Sequence, residues 1–136
     1  FTQQSKSEME DRVNFVLKRV NLSDAHHKMP SEASGGMQKR VAIARAIVNN
    51  PKYLFCDEPN SGLDPKTAIV IDNLIQEITE EYNITTVINS HDMNSVMEIG
   101  EKIVFLRPLQ ILYTPLNCSK KSEKCILTRV ISFLEP

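Results

Sequence analysis

No stretch of this 136-residue sequence approaches the ~18 consecutive apolar residues that a membrane-spanning helix needs. Surplus charge of one sign is also missing. The chain holds 16 Lys and Arg against 17 Asp and Glu, a formal net of −1. That balance offers no electrostatic footprint for nucleic acid or for an anionic membrane surface, so no nucleic-acid partner is expected. Cysteine is scarce: Cys56, Cys118 and Cys125 are odd in number, show no metal-ligand spacing, and suit a reducing, cytosolic setting. Phe1-Thr2-Gln3-Gln4-Ser5 lacks the basic-then-apolar pattern of a signal peptide. It lacks an initiator Met as well, so the chain is expected to begin inside a longer protein. There is no internal repeat and no low-complexity tract. The four glycines all lie at or before position 100.

What is present alternates between two periodicities. Met9, Val13, Val16, Leu17 and Val20 recur at helical spacing, which predicts an amphipathic helix over residues 7–20. A polar stretch broken by Pro30 follows. A second helical pattern after Ser34-Gly35-Gly36 carries Val41, Ala44, Ile47 and Val48, and Asn49-Asn50-Pro51 ends it. Tyr53-Leu54-Phe55-Cys56 has the look of a strand buried on both faces. Residues 59–65 read as a loop, and Ile71, Leu74, Ile75 and Ile78 as a helix. Residues 84–89 and 102–106 read as two more strands. This alternation predicts an α/β fold with right-handed crossovers and a parallel sheet. Beyond Leu106 no clear period organises the chain, despite an apolar end at residues 126–134.

Three places could carry chemistry. Ser34-Gly35-Gly36-Met37-Gln38-Lys39-Arg40 lies where a loop becomes a helix. Unsatisfied N–H groups and the positive helix end favour an anion there, and glycine lets backbone approach a phosphate closely. Ser34 acting only as a helix cap explains the same residues. Asp57-Glu58 follows the first strand directly, at the sheet edge where parallel sheets bind ligands. One carboxylate there can hold Mg²⁺ and the next can activate a water in phosphoryl transfer, although two acids opening a solvated loop would look alike. His91 follows the second strand at the same edge and could hydrogen-bond a terminal phosphate, or be an ordinary surface histidine. Asp64-Pro65 suits a helix cap and first helical position.

Together and in this order, these segments resemble the ATPase subunits of ABC transporters over about residues 8–106. Residues 34–46 look like the signature motif and its helix, and Tyr53-Leu54-Phe55-Cys56-Asp57-Glu58-Pro59 like the Walker B strand and catalytic glutamate. Ser61-Gly62-Leu63-Asp64 resembles the D-loop, and His91 the switch histidine. Ala33 stands where the family usually has Leu. The resemblance implies a partial P-loop NTPase-type parallel sheet with flanking helices, preceded by part of the helical subdomain. The implied divisions are 1–40 (the end of that subdomain), 41–106 (the C-terminal part of the ATPase core) and 107–136 (an atypical, unassigned tail).

It also implies ATP and Mg²⁺ as cofactors. A second ATPase subunit would pair head-to-tail with this one, and an integral-membrane permease would place both at the cytoplasmic face of the inner membrane. Ser34, Gly35, Gly36, Met37 and Gln38 would then meet ATP bound on the partner, and Asp64 would couple the two sites. Asp57 would serve Mg²⁺, Glu58 would polarise the attacking water, and His91 would contact the γ-phosphate. Gly35-Gly36-Met37 looks like the ATPases of Mla/Mce-type phospholipid transport systems, with amino-acid and metal importers as alternatives.

The phosphate loop Gly-x-x-x-x-Gly-Lys-Ser/Thr is absent, so this polypeptide alone is expected to bind ATP poorly and to be inactive. The family normally continues after its last strand here into a glycine-containing hairpin, from which Arg107-Pro108-Leu109 departs. A truncated gene product or a tail of altered reading frame would account for both. Two other readings compete: a non-catalytic remnant that serves as an interaction module, and a soluble cassette ATPase not tied to transport.

Overall fold

The computed structural model describes residues 5–107, 110–115 and 126–131. They divide into two compact units, Phe1–Pro51 and Lys52–Pro136.

The first unit is helical. Helix α1 (Lys6–Arg19) starts at a capping box: Ser5 Oγ accepts from the Glu8 N–H at 3.3 Å, and the Glu8 carboxylate accepts from the Ser5 N–H at 2.8 Å. Two short 3₁₀ turns, Ser23–Ala25 and Pro30–Glu32, lead to α2 (Gly35–Ile47). Arg40 on α2 donates to the Asn21 carbonyl just past α1, at 3.3 Å.

The second unit holds a five-stranded sheet. Its elements in chain order are β1 (Tyr53–Asp57), α3 (Pro65–Glu81), β2 (Thr85–Ser90), α4 (Met93–Ile99), β3 (Lys102–Arg107), β4 (Gln110–Pro115) and β5 (Ile126–Ile131). In space the strands run β1-β2-β5-β3-β4. The first four are mutually parallel, and β4 folds back antiparallel on β3, with Arg107 opposite Gln110. Helix α3 forms because Ile71, Leu74, Ile75 and Ile78 make one buried stripe, with Asp64 capping its start and Pro65 at its first position. Its end is a Schellman motif. Asn83 adopts φ 53°, the Ile84 N–H reaches the Thr79 carbonyl at 3.0 Å and the Asn83 N–H reaches Glu80 at 3.3 Å. That turn delivers Ile84 and the start of β2 into the core beside Thr86, Ile88, Val96, Ile99 and Ile103.

Two features depart from the sequence reading. Strand β1 is not buried on both faces. Leu54 is 4% exposed but Tyr53 and Phe55 are 64% and 74% exposed, so β1 buries only the face that carries Leu54. The chain beyond Leu106 is also more ordered than its missing periodicity implied, since residues 110–115 and 126–131 are strands. Strand β5 inserts between β2 and β3, a long-range parallel pairing that leaves no local sequence signal. Pro108, Leu109, Lys120, Lys121, Cys118 and Cys125 lie outside the described residues.

Candidate functional site

Parallel pairing of β1 with β2 sets Asp57 opposite Asn89, so both strands end at the same edge. The ladder runs one residue further: the Glu58 N–H donates to the Asn89 carbonyl at 2.8 Å. Beyond that point the chain turns sharply. Glu58 sits at φ 46°, the left-handed region, which costs a non-glycine residue roughly 1–2 kcal/mol. The other three described non-glycine residues at positive φ are asparagines, which tolerate it; Glu58 is the one glutamate held there.

This turn aims the two carboxylates differently. Asp57 is exposed and accepts a hydrogen bond from Asn89 Nδ2 at 2.6 Å. Glu58 is half-buried, and its carboxylate meets His91 Nδ1 at 2.8 Å. The hydrogen bond and charge of Glu58, with a smaller contribution from Asp92, raise the His91 pKa above its ordinary value of 6.5. Asp92 in turn caps α4 by accepting from the Asn94 N–H at 3.0 Å. His91 is thus fixed between a strand end and a capped helix start.

Behind this edge lies a closed polar ring. Asn60 Nδ2 donates to Asp72 at 2.7 Å and to Ser95 Oγ at 2.6 Å, and the Ser95 hydroxyl donates to the other Asp72 oxygen. All three residues are buried. Burial pushes the Asp72 pKa up, while hydrogen bonds from Ser95 and Asn60 pull against that shift. Asn60 Oδ1 is left buried without a partner.

The loop and signature-like residues serve their local structure as capping arguments anticipate. Asp64 accepts from the Lys66 and Thr67 N–H groups, each at 3.1 Å, and from the Thr67 hydroxyl, which together hold its carboxyl below the usual range. Gly62 adopts φ 77° in the turn before it. In the first unit, Ser34 Oγ caps α2 by accepting from the Met37 N–H at 3.3 Å. Gln38 closes the same turn by donating to the Ala33 carbonyl at 3.0 Å, and Gly35 and Gly36 form the first turn of the helix.

The structure therefore brings Asp57, Glu58 and His91 to one edge and keeps Asp64 in the loop that follows, all within the second unit. Sequence reasoning missed Asn89, Asp72 and Ser95. Asp72 carried a signal: an acid on the otherwise apolar stripe of α3, beside Ile71. Asn89 and Ser95 carried none, because their roles depend on partners 32 and 23 residues away.

No group of three or more His, Cys, Asp or Glu able to hold a metal occurs among the described residues. Asp57 offers a single exposed carboxylate, which fits a hard cation only as one ligand of a set completed from elsewhere.

The α/β fold, a largely parallel sheet with helices, matches solved ATP-binding cassettes. An inward-facing metal-chelate-type ABC transporter described as putative superposes with a TM-score of 0.78 at 27% identity, over 85% of this chain and 47% of that one. A dimeric ATP-binding cassette in a post-hydrolysis state with ADP and Pi gives 0.68 at 35% identity, over 81% and 49%. The sequence model of the ABC transporter family matches residues 1–61. Methionine import ATP-binding protein MetN 2 of Bacillus anthracis is 39% identical over 107 residues, 79% of this chain and 32% of that protein. MetN 1 of Staphylococcus aureus (strain bovine RF122 / ET3-1) is 39% identical over 113 residues, 83% and 33%. The chain thus spans about a third of the length of these curated relatives. Its similarity is therefore to part of an ABC transporter ATP-binding domain.

Proposed function

We propose that this chain supplies the hydrolytic edge of a transport-coupled ATPase. The observation that carries the reading is the 2.8 Å contact of Glu58 with His91, beside Asp57, at the C-terminal ends of two adjacent parallel strands. A carboxylate there can orient and deprotonate an attacking water, and a raised-pKa imidazole can donate to a phosphate oxygen. Asp57 is the residue suited to Mg²⁺; that ion, when bound, neutralises charge on the phosphates.

Ser34, Gly35, Gly36, Met37 and Gln38 form a helix start with anion-binding character, fit to meet the ATP of a second cassette. Asp64, in the loop after Glu58, is placed to sense that neighbour. A permease would tie the pair to the membrane from its cytoplasmic side, and no helix among the described residues is long and apolar enough to cross by itself.

Amino-acid import is the transported class favoured by the similarity to methionine importers over 107 residues. Phospholipid transport is the second reading and rests on Gly35-Gly36-Met37.

The test is Glu58→Gln in a cassette that also bears a phosphate loop. ATP binding should persist while turnover falls at least ~100-fold, the scale of a lost acid–base role. Near-normal turnover would remove Glu58 from the chemistry.

A further inference from the structure

The Glu58–His91 contact joins the side chains of two segments that the β1–β2 ladder holds only as far as the Glu58 N–H, which donates to the Asn89 carbonyl at 2.8 Å. Glu58 lies past the end of β1, in a left-handed conformation that a non-glycine residue leaves readily unless its surroundings forbid it. His91 lies past the end of β2, and its side chain is 72% exposed. Little burial restrains His91, and Glu58 is half-buried.

The polar ring behind them touches both segments. Asn60 is two residues beyond Glu58, in the same turn, where the Ser61 N–H returns to the Glu58 carbonyl at 3.2 Å. Ser95 is four residues beyond His91, in the first turn of α4. Asp72 lies on α3 and binds both, one carboxylate oxygen to each. No apolar residue of similar size could replace it, because Asn60 Nδ2 and the Ser95 hydroxyl would lose their shared acceptor.

We propose that Asp72 is a positioning residue. Through Asn60 and Ser95 it locks the turn carrying Glu58 to the helix that follows His91, and so keeps the two side chains in register. The inference deepens the hydrolytic reading of that edge and rests on it for its biological meaning, though the geometric claim stands apart. Asp72 touches no reacting group.

The experiment follows the His91 imidazole by NMR titration in the chain itself. The charged groups that raise its midpoint are Glu58 and Asp92, so Glu58→Gln defines the value with the Glu58 charge removed. Asp72→Ala should lower the midpoint by most of the wild-type-to-Glu58→Gln difference. Asp72→Asn keeps an acceptor for Asn60 and a partner for Ser95, and should restore it. A core residue with a purely structural role would lower the melting temperature in Asp72→Ala but leave the midpoint of the folded chain in place, and that result overturns the proposal. If Asp72→Ala does not fold, Ser95→Ala decides. It cuts the α4 tie alone, and a wild-type midpoint in it also overturns the proposal. Neither result depends on ATP turnover, so failure of the lock and failure of the hydrolytic role are told apart.

Discussion

Glu58 combines three conditions that rarely meet in one residue: a left-handed backbone, a half-buried carboxylate and a histidine at hydrogen-bond distance. Its neighbour Asp57 has none of them, and as two acids after a strand the pair received separate roles only through the family resemblance. The difference has a measurable consequence in His91. Because the folded pKa is raised, the contact stabilises the protonated imidazole. Its contribution is therefore complete below the ordinary pKa of 6.5 and fades as pH rises through the raised value. His91 is largely exposed, so solvent screening keeps the contribution to global stability small. An NMR titration should place the His91 midpoint above the ordinary 6.5, and Glu58→Gln should bring it down. A midpoint that Glu58→Gln leaves in place would mean that the contact does not form in solution.

Helix α3 is the element on which the site depends most. Its buried stripe packs under the sheet, its N-cap Asp64 ends the loop after Glu58, and Asp72 projects from it into the polar ring. Ile75 is fully buried in that stripe. Ile75→Ala should cost about 2–5 kcal/mol in chemical denaturation, the range for removing buried methyl groups where the cavity cannot collapse. A loss under about 1 kcal/mol would show that α3 packs loosely. The element's boundaries were readable because they are local: Asp64-Pro65 begins it, and Asn83 can take the left-handed turn that stops it. Strand β1 was misread as doubly buried for the opposite reason. An unbroken apolar run such as Tyr53-Leu54-Phe55-Cys56 has the same composition whether one face or both are covered, and only the elements packed on each face decide.

Across the whole molecule the decisive feature is β5. It pairs with β2 on one side and β3 on the other, so among the described strands it is the one that joins the β1–β2 pair to the β3–β4 hairpin within the sheet. A chain ending at Cys125 should lose the ladders on both sides and unfold at lower temperature and with lower cooperativity by circular dichroism. A melt matching the full chain would remove β5 from the sheet. The proposed pairing with a second cassette makes its own demand on Ser34. In a cassette bearing a phosphate loop, Ser34→Arg should block ATP-driven dimerisation by size-exclusion chromatography. Ser34→Ala, which loses the same cap without added bulk, should weaken it less. Dimerisation undiminished in Ser34→Arg would place the partner's ATP elsewhere.

The sequence by itself determined whatever rests on short-range physics. It specified the helical stripes, the caps at Ser34 and Asp64, the apolar runs that become β1 and β2, and the order of motifs that marks the class. Those signals lie within a few residues of one another, where periodicity and capping chemistry operate. Only the tertiary structure decided which acid faces His91, that Asn89 holds Asp57, that Asp72 ties Asn60 to Ser95, and that residues 126–131 enter the middle of the sheet. Each of these joins groups brought together by parallel crossovers. A hydrogen bond between residues 12 to 33 apart depends on the path of the whole chain and leaves no period in the sequence that connects them.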